Sequence, residues 1–183
     1  MTKYRTIVAD PPWRVPWNAR AGAKSDGRPG SRGGAYGLPY SSMSVEEITQ
    51  LPVAGIAAPA SHLWLWTTHN FLFDAPSVAA AWGFAPTYTL IWTKPGLGVG
   101  ARFRPNAEFV LFCEKGDKLP VTRRDLGTYF DWPKGEHSAK PDAFYDLVES
   151  VSPEPRVELF ARRARFGWDY WGDQSLGTAE MAA

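Results

Sequence analysis

Thr6-Ile7-Val8-Ala9-Asp10-Pro11-Pro12-Trp13 is the stretch from which the rest of the chain reads. Its first four residues are uncharged and partly β-branched, which suits a short buried strand. Two prolines then stop the ladder, because each fixes φ and lacks an N–H. The strand therefore delivers an acid, two proline carbonyls and an indole at its end. Asp10 and the carbonyls of Pro11 and Pro12 can accept hydrogen bonds, and Trp13 offers a flat face. Such a ledge suits a planar aromatic amine, with acceptors for its two hydrogens and a ring against its base. The same residues also read as a strand closed by a proline turn, with Asp10 capping nearby amides.

Working outward, 183 residues with 44% hydrophobic content predict one soluble domain over 1–183. No leader and no apolar run of about 20 residues is read, so a cytoplasmic protein without a membrane segment is expected. The single cysteine, Cys113, allows no internal disulfide and sits in an apolar run, as an inert buried thiol would. Three histidines, at 62, 69 and 137, lack metal-ligand spacing, so no metal site is expected. The net charge of +1 points to no partner by itself. Nine tryptophans are many for this length, and core filling accounts for most of them.

Apolar runs alternate with helical patterns, which predicts an α/β fold on a mainly parallel sheet. Strands are expected at 5–9, 62–67, 86–93, 107–114 and 156–161. Ser44 and Glu47 form a capping box, with Met43 and Ile48 as its staple, for a helix to about Leu51. A second helix is expected over 71–82 with Gly83 as its stop, and a third from Pro141. The 14–39 segment reads as a basic, glycine-rich loop, with five cations against Asp26, and 175–183 as a flexible tail. That loop reads either as a phosphate-tracking arm or as a solvated surface segment. A second loop, 95–106, carries Arg102 and Arg104. Both loops follow strands, and open parallel sheets bind ligands beyond their strand ends.

Three further patterns carry chemistry. Lys140 precedes a helix start and suits a carboxylate, or is a solvated lysine beside a capping Ser138. Glu158-Leu159-Phe160-Ala161-Arg162 is a strand running into cations, and Asp173-Gln174 near the C-terminus can hold ribose hydroxyls or form an ordinary polar tail. Glu108 is an acid in an apolar strand, paired in the core or facing a site. No G-x-G-x-x-G loop is present, which disfavours a nicotinamide dinucleotide.

In this order the pieces resemble the MT-A-seventy-like adenine N6-methyltransferases. The resemblance rests on ADPPW at 9–13, LPYSSMSVEEI at 38–48, HLWLWTT at 62–68, WGFAPTYTLIWTK at 82–94, NAEFVLFCEKG at 106–116, HSAKPDAFYDLVESVSP at 137–153, ELFAR at 158–162 and WGDQ at 171–174. It implies a Rossmann-like class I methyltransferase fold with permuted motif order and S-adenosylmethionine as cofactor. It makes Asp10, Pro11, Pro12 and Trp13 the catalytic motif and places Lys140 near the cofactor's methionine carboxylate. Arg162 and Gln174 fall at its ribose, Asp10 and Asp173 count with them as cofactor-binding positions, and Tyr40 and Glu108 line the acceptor-base pocket. Three departures stand out: no acid precedes Asp10, Asp173 replaces a common Asn, and the 14–39 loop is long.

The function expected is methylation of adenine N6 in nucleic acid, DNA before RNA, with Arg102 and Arg104 on the substrate and a homodimer as one possible assembly. The alternatives are an inactive nucleic-acid-binding partner subunit, or a methyltransferase for a small molecule or protein amide.

Overall fold

In a computed structural model, the structure describes residues 2–14, 42–98, 102–121, 123, 125–133 and 140–171. The basic loop beyond Arg14 and the 175–183 tail lie outside these residues, as do Tyr40, Asp173 and Gln174.

The chain builds β1 (Tyr4–Ala9), α1 (Val45–Thr49), α2 (Val53–Ile56), β2 (Ala57–Thr67), α3 (Ala75–Ala81), β3 (Ala85–Thr93), β4 (Ala107–Lys115), β5 (Tyr129–Phe130), α4 (Asp142–Val151), β6 (Arg156–Leu159) and β7 (Trp168–Trp171). The seven strands form one sheet in the order β5-β3-β4-β2-β1-β6-β7. Its pairings are parallel for β1–β2, β1–β6, β6–β7 and β3–β5, and antiparallel for β2–β4 and β3–β4. The sheet is thus mixed but mostly parallel, an α/β architecture of the Rossmann type.

Side-chain alternation sorts the core into two faces. Ile7, Ala9, Leu63, Leu65, Leu111, Cys113, Val157 and Leu159 pack on α1 and α3, together with Ile48, Val78 and Trp82. Val8, Trp64, Trp66, Leu90, Trp92, Val110 and Phe112 face α4, which buries Phe144, Leu147, Val148 and Val151. Each Val, Leu, Ile or Phe among them contributes about 1.5–3 kcal/mol on burial. Several tryptophans do fill this core, and the Trp82 indole also donates to the Ile48 carbonyl at 3.1 Å, tying α3 to α1. Cys113 is buried and unpaired, its thiol pushed up to about 12 by desolvation.

The capping box forms as expected: Ser44 Oγ accepts from the Glu47 amide, and the Glu47 carboxylate accepts from Ser44 N–H. Helix α3 starts at Ala75, not at residue 71. Pro76 has no N–H for the Leu72 carbonyl, so the helix cannot run through it from upstream. Pro141 sits at the cap with ψ of 141°, and α4 begins one residue later. Strand β7 and the single-turn α2 were not expected from the sequence.

These pairings set the edge that matters. Ala9 lies opposite Leu65 and Leu159, Thr67 opposite Phe109, and Thr93 opposite Ala107. The segments after β1, β2, β3 and β6 and the start of β4 therefore share one edge. β1 leads to β2 on one side and pairs with β6 on the other, so strand order reverses beside it. Crevices open at such switch points.

Candidate active site

The Asp-Pro-Pro-Trp turn is a fixed ledge, built differently in detail from the sequence expectation. The Trp13 amide donates to the Pro11 carbonyl at 2.8 Å, and the Met43 amide to the Pro12 carbonyl at 2.8 Å. Neither proline carbonyl is therefore free, although each keeps a second lone pair. Trp13 is in the core, not on display: 8% exposed, stacked on Phe71 at 5.2 Å and donating from Nε1 to the Trp66 carbonyl at 3.1 Å. Its indole buttresses the ledge and leaves almost no face for a ligand. Arg14, the first cation of the basic segment, pairs with Glu47 at 3.1 Å instead of standing free.

Asp10 emerges beyond Ala9 with its side chain 26% exposed, and its Oδ2 lies 3.2 Å from Lys140 Nζ. Lys140 precedes α4, but its ammonium turns to the strand ends. It also meets Glu158 Oε1 at 2.9 Å, and both of these side chains are about 95% buried. The Tyr145 hydroxyl lies 3.0 and 3.1 Å from the two Glu158 oxygens and donates to that carboxylate. Burial alone would pull the Lys140 ammonium below its usual range, but the Asp10 and Glu158 carboxylates outweigh it and hold it well above. The Tyr145 phenol is raised by burial, against the pull of Lys140, so it remains a neutral donor. Two carboxylates against one ammonium leave one surplus negative charge, with Asp10 its more exposed holder.

Beside this cluster, Glu108 at the start of β4 pairs with Lys94, whose Nζ also sits 4.6 Å from the Trp92 ring centre. Both line a cleft of about 360 Å³ with His69, Asn70, Gly96 and Asn106. Arg162 lies past the end of β6, half-buried on the same edge. Arg104 is exposed, yet its guanidinium holds its own loop, donating to the Gly98 carbonyl at 2.8 Å and reaching the Leu97 carbonyl at 3.3 Å. Arg102 is exposed. A larger cavity of about 670 Å³, lined by Trp64, Leu90, Phe112, Leu119 and Leu147, lies on the α4 face and contains none of these residues.

The structure thus brings together Asp10 and Lys140 and places Glu108, Arg102, Arg104 and Arg162 on their edge. It adds Glu158, Tyr145 and Lys94, which the sequence reading gave no site role. One signal pointed to Glu158: a lone acid in a buried strand, the criterion that picked out Glu108. Among the described residues, no group of three or more His, Cys, Asp or Glu is arranged to hold a metal, and no helix is long and apolar enough to cross a membrane.

With the acceptor ledge on the first strand and the opposite crevice wall on the sixth, this is a Rossmann-like methyltransferase in permuted order. The model of the MT-A70 family matches residues 4–174, and the chain belongs to that family. Its methyl donor is S-adenosylmethionine. The type II methyltransferase M.MunI of a Mycoplasma species is 32% identical, over 93% of this chain and 77% of that protein. A probable N(6)-adenosine-methyltransferase MT-A70-like protein of rice is 27% identical over 96% of this chain, which spans only 23% of it. Human N(6)-adenine-specific methyltransferase METTL4 is 24% identical, over 94% of this chain and 38% of its own length.

Proposed function

We infer that this protein methylates the N6 amino group of adenine in nucleic acid, DNA in preference to RNA. The observation that carries the reading is the Asp10–Lys140–Glu158 cluster with its surplus negative charge at the switch point. The donor set fits the cofactor, since a cationic sulfonium and an ammonium are drawn to such a cluster. When bound, S-adenosylmethionine supplies a methyl group on a positively charged sulfur.

The chain's own residues do the rest by position and charge. Adenine N6 is a weak nucleophile because its lone pair is delocalised into the ring. Asp10 accepts one N6 hydrogen, and the second lone pair of the Pro11 carbonyl accepts the other. Together they draw the nitrogen toward tetrahedral geometry and localise its lone pair. After transfer, N6 is cationic and gives up its proton readily, so Asp10 suffices as acceptor. Lys140 donates an N–H to Glu158 and stands within ion-pair range of Asp10, and a further N–H of its ammonium is offered to the cofactor carboxylate. Arg162, Asp173 and Gln174 hold its ribose. Tyr40 and Glu108 contact the base, and Arg102 and Arg104 lie toward the phosphates. DNA is favoured because the type II methyltransferase is 32% identical to this chain, against 27% for the rice adenosine methyltransferase.

The test is incubation with isotopically labelled S-adenosylmethionine and a panel of DNA and RNA oligonucleotides, followed by nucleoside mass spectrometry. Labelled N6-methyldeoxyadenosine is expected, and it disappears in Asp10→Ala. Product from RNA alone reverses the substrate assignment. Cofactor binding in a calorimeter without any product favours a non-catalytic partner.

A further inference from the structure

We propose that Phe103 is a wedge that enters the base stack when the target adenine swings out of a duplex. The inference rests on the duplex-adenine reading above.

Its basis is a side chain in an unusual setting. Phe103 is 88% exposed, on the β3–β4 connection, which lies on the Asp10 edge. The base of this connection is locked. Lys94 N–H donates to the Asn106 carbonyl at 2.7 Å, and Gly98 N–H to the Pro105 carbonyl at 2.9 Å. A Cβ on Gly98 would meet that carbonyl oxygen at 2.4 Å, so only glycine allows the approach. Arg104 fastens the same neck from its side chain. A braced neck thus presents a bare phenyl ring to solvent between two cations, Arg102 and Arg104.

The other fully exposed phenylalanines lack this combination. Phe166 precedes β7, whose first residue Trp168 pairs with Arg156 at the opposite edge of the sheet. Phe73 is on the right edge but adjoins Asp74, whose carboxylate repels phosphate. Among the described residues, only Phe103 couples an unburied ring, fixed footing and flanking positive charge. That is the chemistry of a residue that meets stacked bases beneath a phosphate backbone. Enzymes that act on a base must extrude it, and apolar side chains fill opened base steps. Asp10 takes the amine, and Phe103 keeps the gap from closing.

The test uses the full chain and a duplex containing an adenine it has been shown to methylate. Three forms are compared: the adenine paired with thymine, opposite an abasic nucleotide, and in single strand. Phe103→Ala is expected to lower kcat/KM on the paired duplex about 10-fold, the weight of one base–aromatic stack, and to leave the other two forms within about 2-fold. Phe103→Trp restores the paired rate, and Phe73→Ala leaves all three unchanged. With 2-aminopurine at the target, the fluorescence gain on binding falls in Phe103→Ala. An equal loss on all three forms overturns the wedge, as does no loss on the paired duplex. A wild-type dimer that Phe103→Ala splits in sedimentation, with parallel loss on every form, also overturns it and makes Phe103 a subunit contact. Absence of methylation by the wild type on every nucleic acid instead overturns the reading beneath it.

Discussion

Two acid–lysine arrangements occupy the same edge of the sheet and differ above all in burial. Around Lys140 the carboxylates come from the ends of β1 and β6, and Lys140 and Glu158 are almost wholly enclosed. Around Glu108 the partner is Lys94, and both side chains keep more than a quarter of their surface in water. Burial makes the first arrangement a fixed charge distribution, because Lys140 cannot be released without leaving two carboxylates uncompensated. Water makes the second exchangeable, since solvent and salt compensate either partner. Under the proposed function this is a division of labour set by dielectric: rigid charge where the methyl group would be aimed, adjustable charge where nucleic acid would be met.

Lys140→Met is the most forceful way to break this contrast. It leaves Asp10 and Glu158 facing each other without a cation, and the loss of a buried partner costs about 3–5 kcal/mol. One carboxylate then takes up a proton, so its folded pKa rises above its unfolded value. Stability therefore falls as pH rises through that interval, and the defect is largest at neutral pH and shrinks in acid. Urea unfolding at a series of pH values reads this directly. A variant as stable as the wild type at pH 7 would show that the cluster is not a unit.

Asp10→Asn sharpens the contrast from the chemical side. The amide keeps the shape of the ledge, and Lys140 keeps Glu158, so the fold should survive. The rate should drop about 10²–10³-fold, as for loss of one positioned group that acts on transition-state charge. Single-turnover methylation gives the rate, and thermal melting confirms the fold. Glu108→Gln in the same assay is expected to raise KM several-fold and leave kcat near its original value.

His62 asks whether burial sets charge state away from the site as well. It lies in β2, fully buried, with Nδ1 2.8 Å from Ser152 Oγ, and Nε2 without a protein partner. Desolvation, helped by Arg5, lowers its pKa from 6.5 to about 4. The unfolded chain binds this proton first as pH falls. His62 thus contributes stability in full above pH 6.5, and the contribution is lost as pH falls through about 4. The total is roughly 3 kcal/mol, at 1.36 kcal/mol per unit. The difference between wild-type and His62→Gln unfolding curves from pH 8 to 4 isolates it. Parallel curves would mean that water reaches the ring.

The contrast also explains what could be read from the sequence. The five central strands were legible because Ile7 and Ala9 alternate with Val8, and Leu63 and Leu65 with Trp64 and Trp66, as a sheet covered on both faces requires. Helix α1 was legible through Ser44 and Glu47, neighbours in sequence as in space. Strand β7 was not, because Trp168-Asp169-Tyr170-Trp171 is half exposed, with only Trp168 buried, and so shows no apolar run. Asp10 and Lys140 stood out by motif, but the cluster joins Asp10 near one end of the chain to Lys140, Tyr145 and Glu158 near the other. The misjudged face of Trp13 has the same cause: Phe71, which covers it, has no local relation to it.

The smallest effect belongs to Lys94, and it decides how the exchangeable pair is used. Lys94→Met should change stability by less than about 1 kcal/mol, as expected for a solvated pair. Its effect on nucleic-acid binding depends on what the ammonium does in the complex. If Lys94 stays with Glu108, binding keeps its full salt dependence in the variant. If it leaves Glu108 to meet a phosphate, the slope of log K against log salt falls by about 0.9 in the variant, one contact's worth. The second outcome is expected, because only a Glu108 released by Lys94 has its full carboxylate to offer a base. In the double variant Lys94→Met/Glu108→Gln the slope should then match that of Lys94→Met alone. A slope unchanged in Lys94→Met would place this pair with the fixed charges, and exposure would no longer separate the two arrangements.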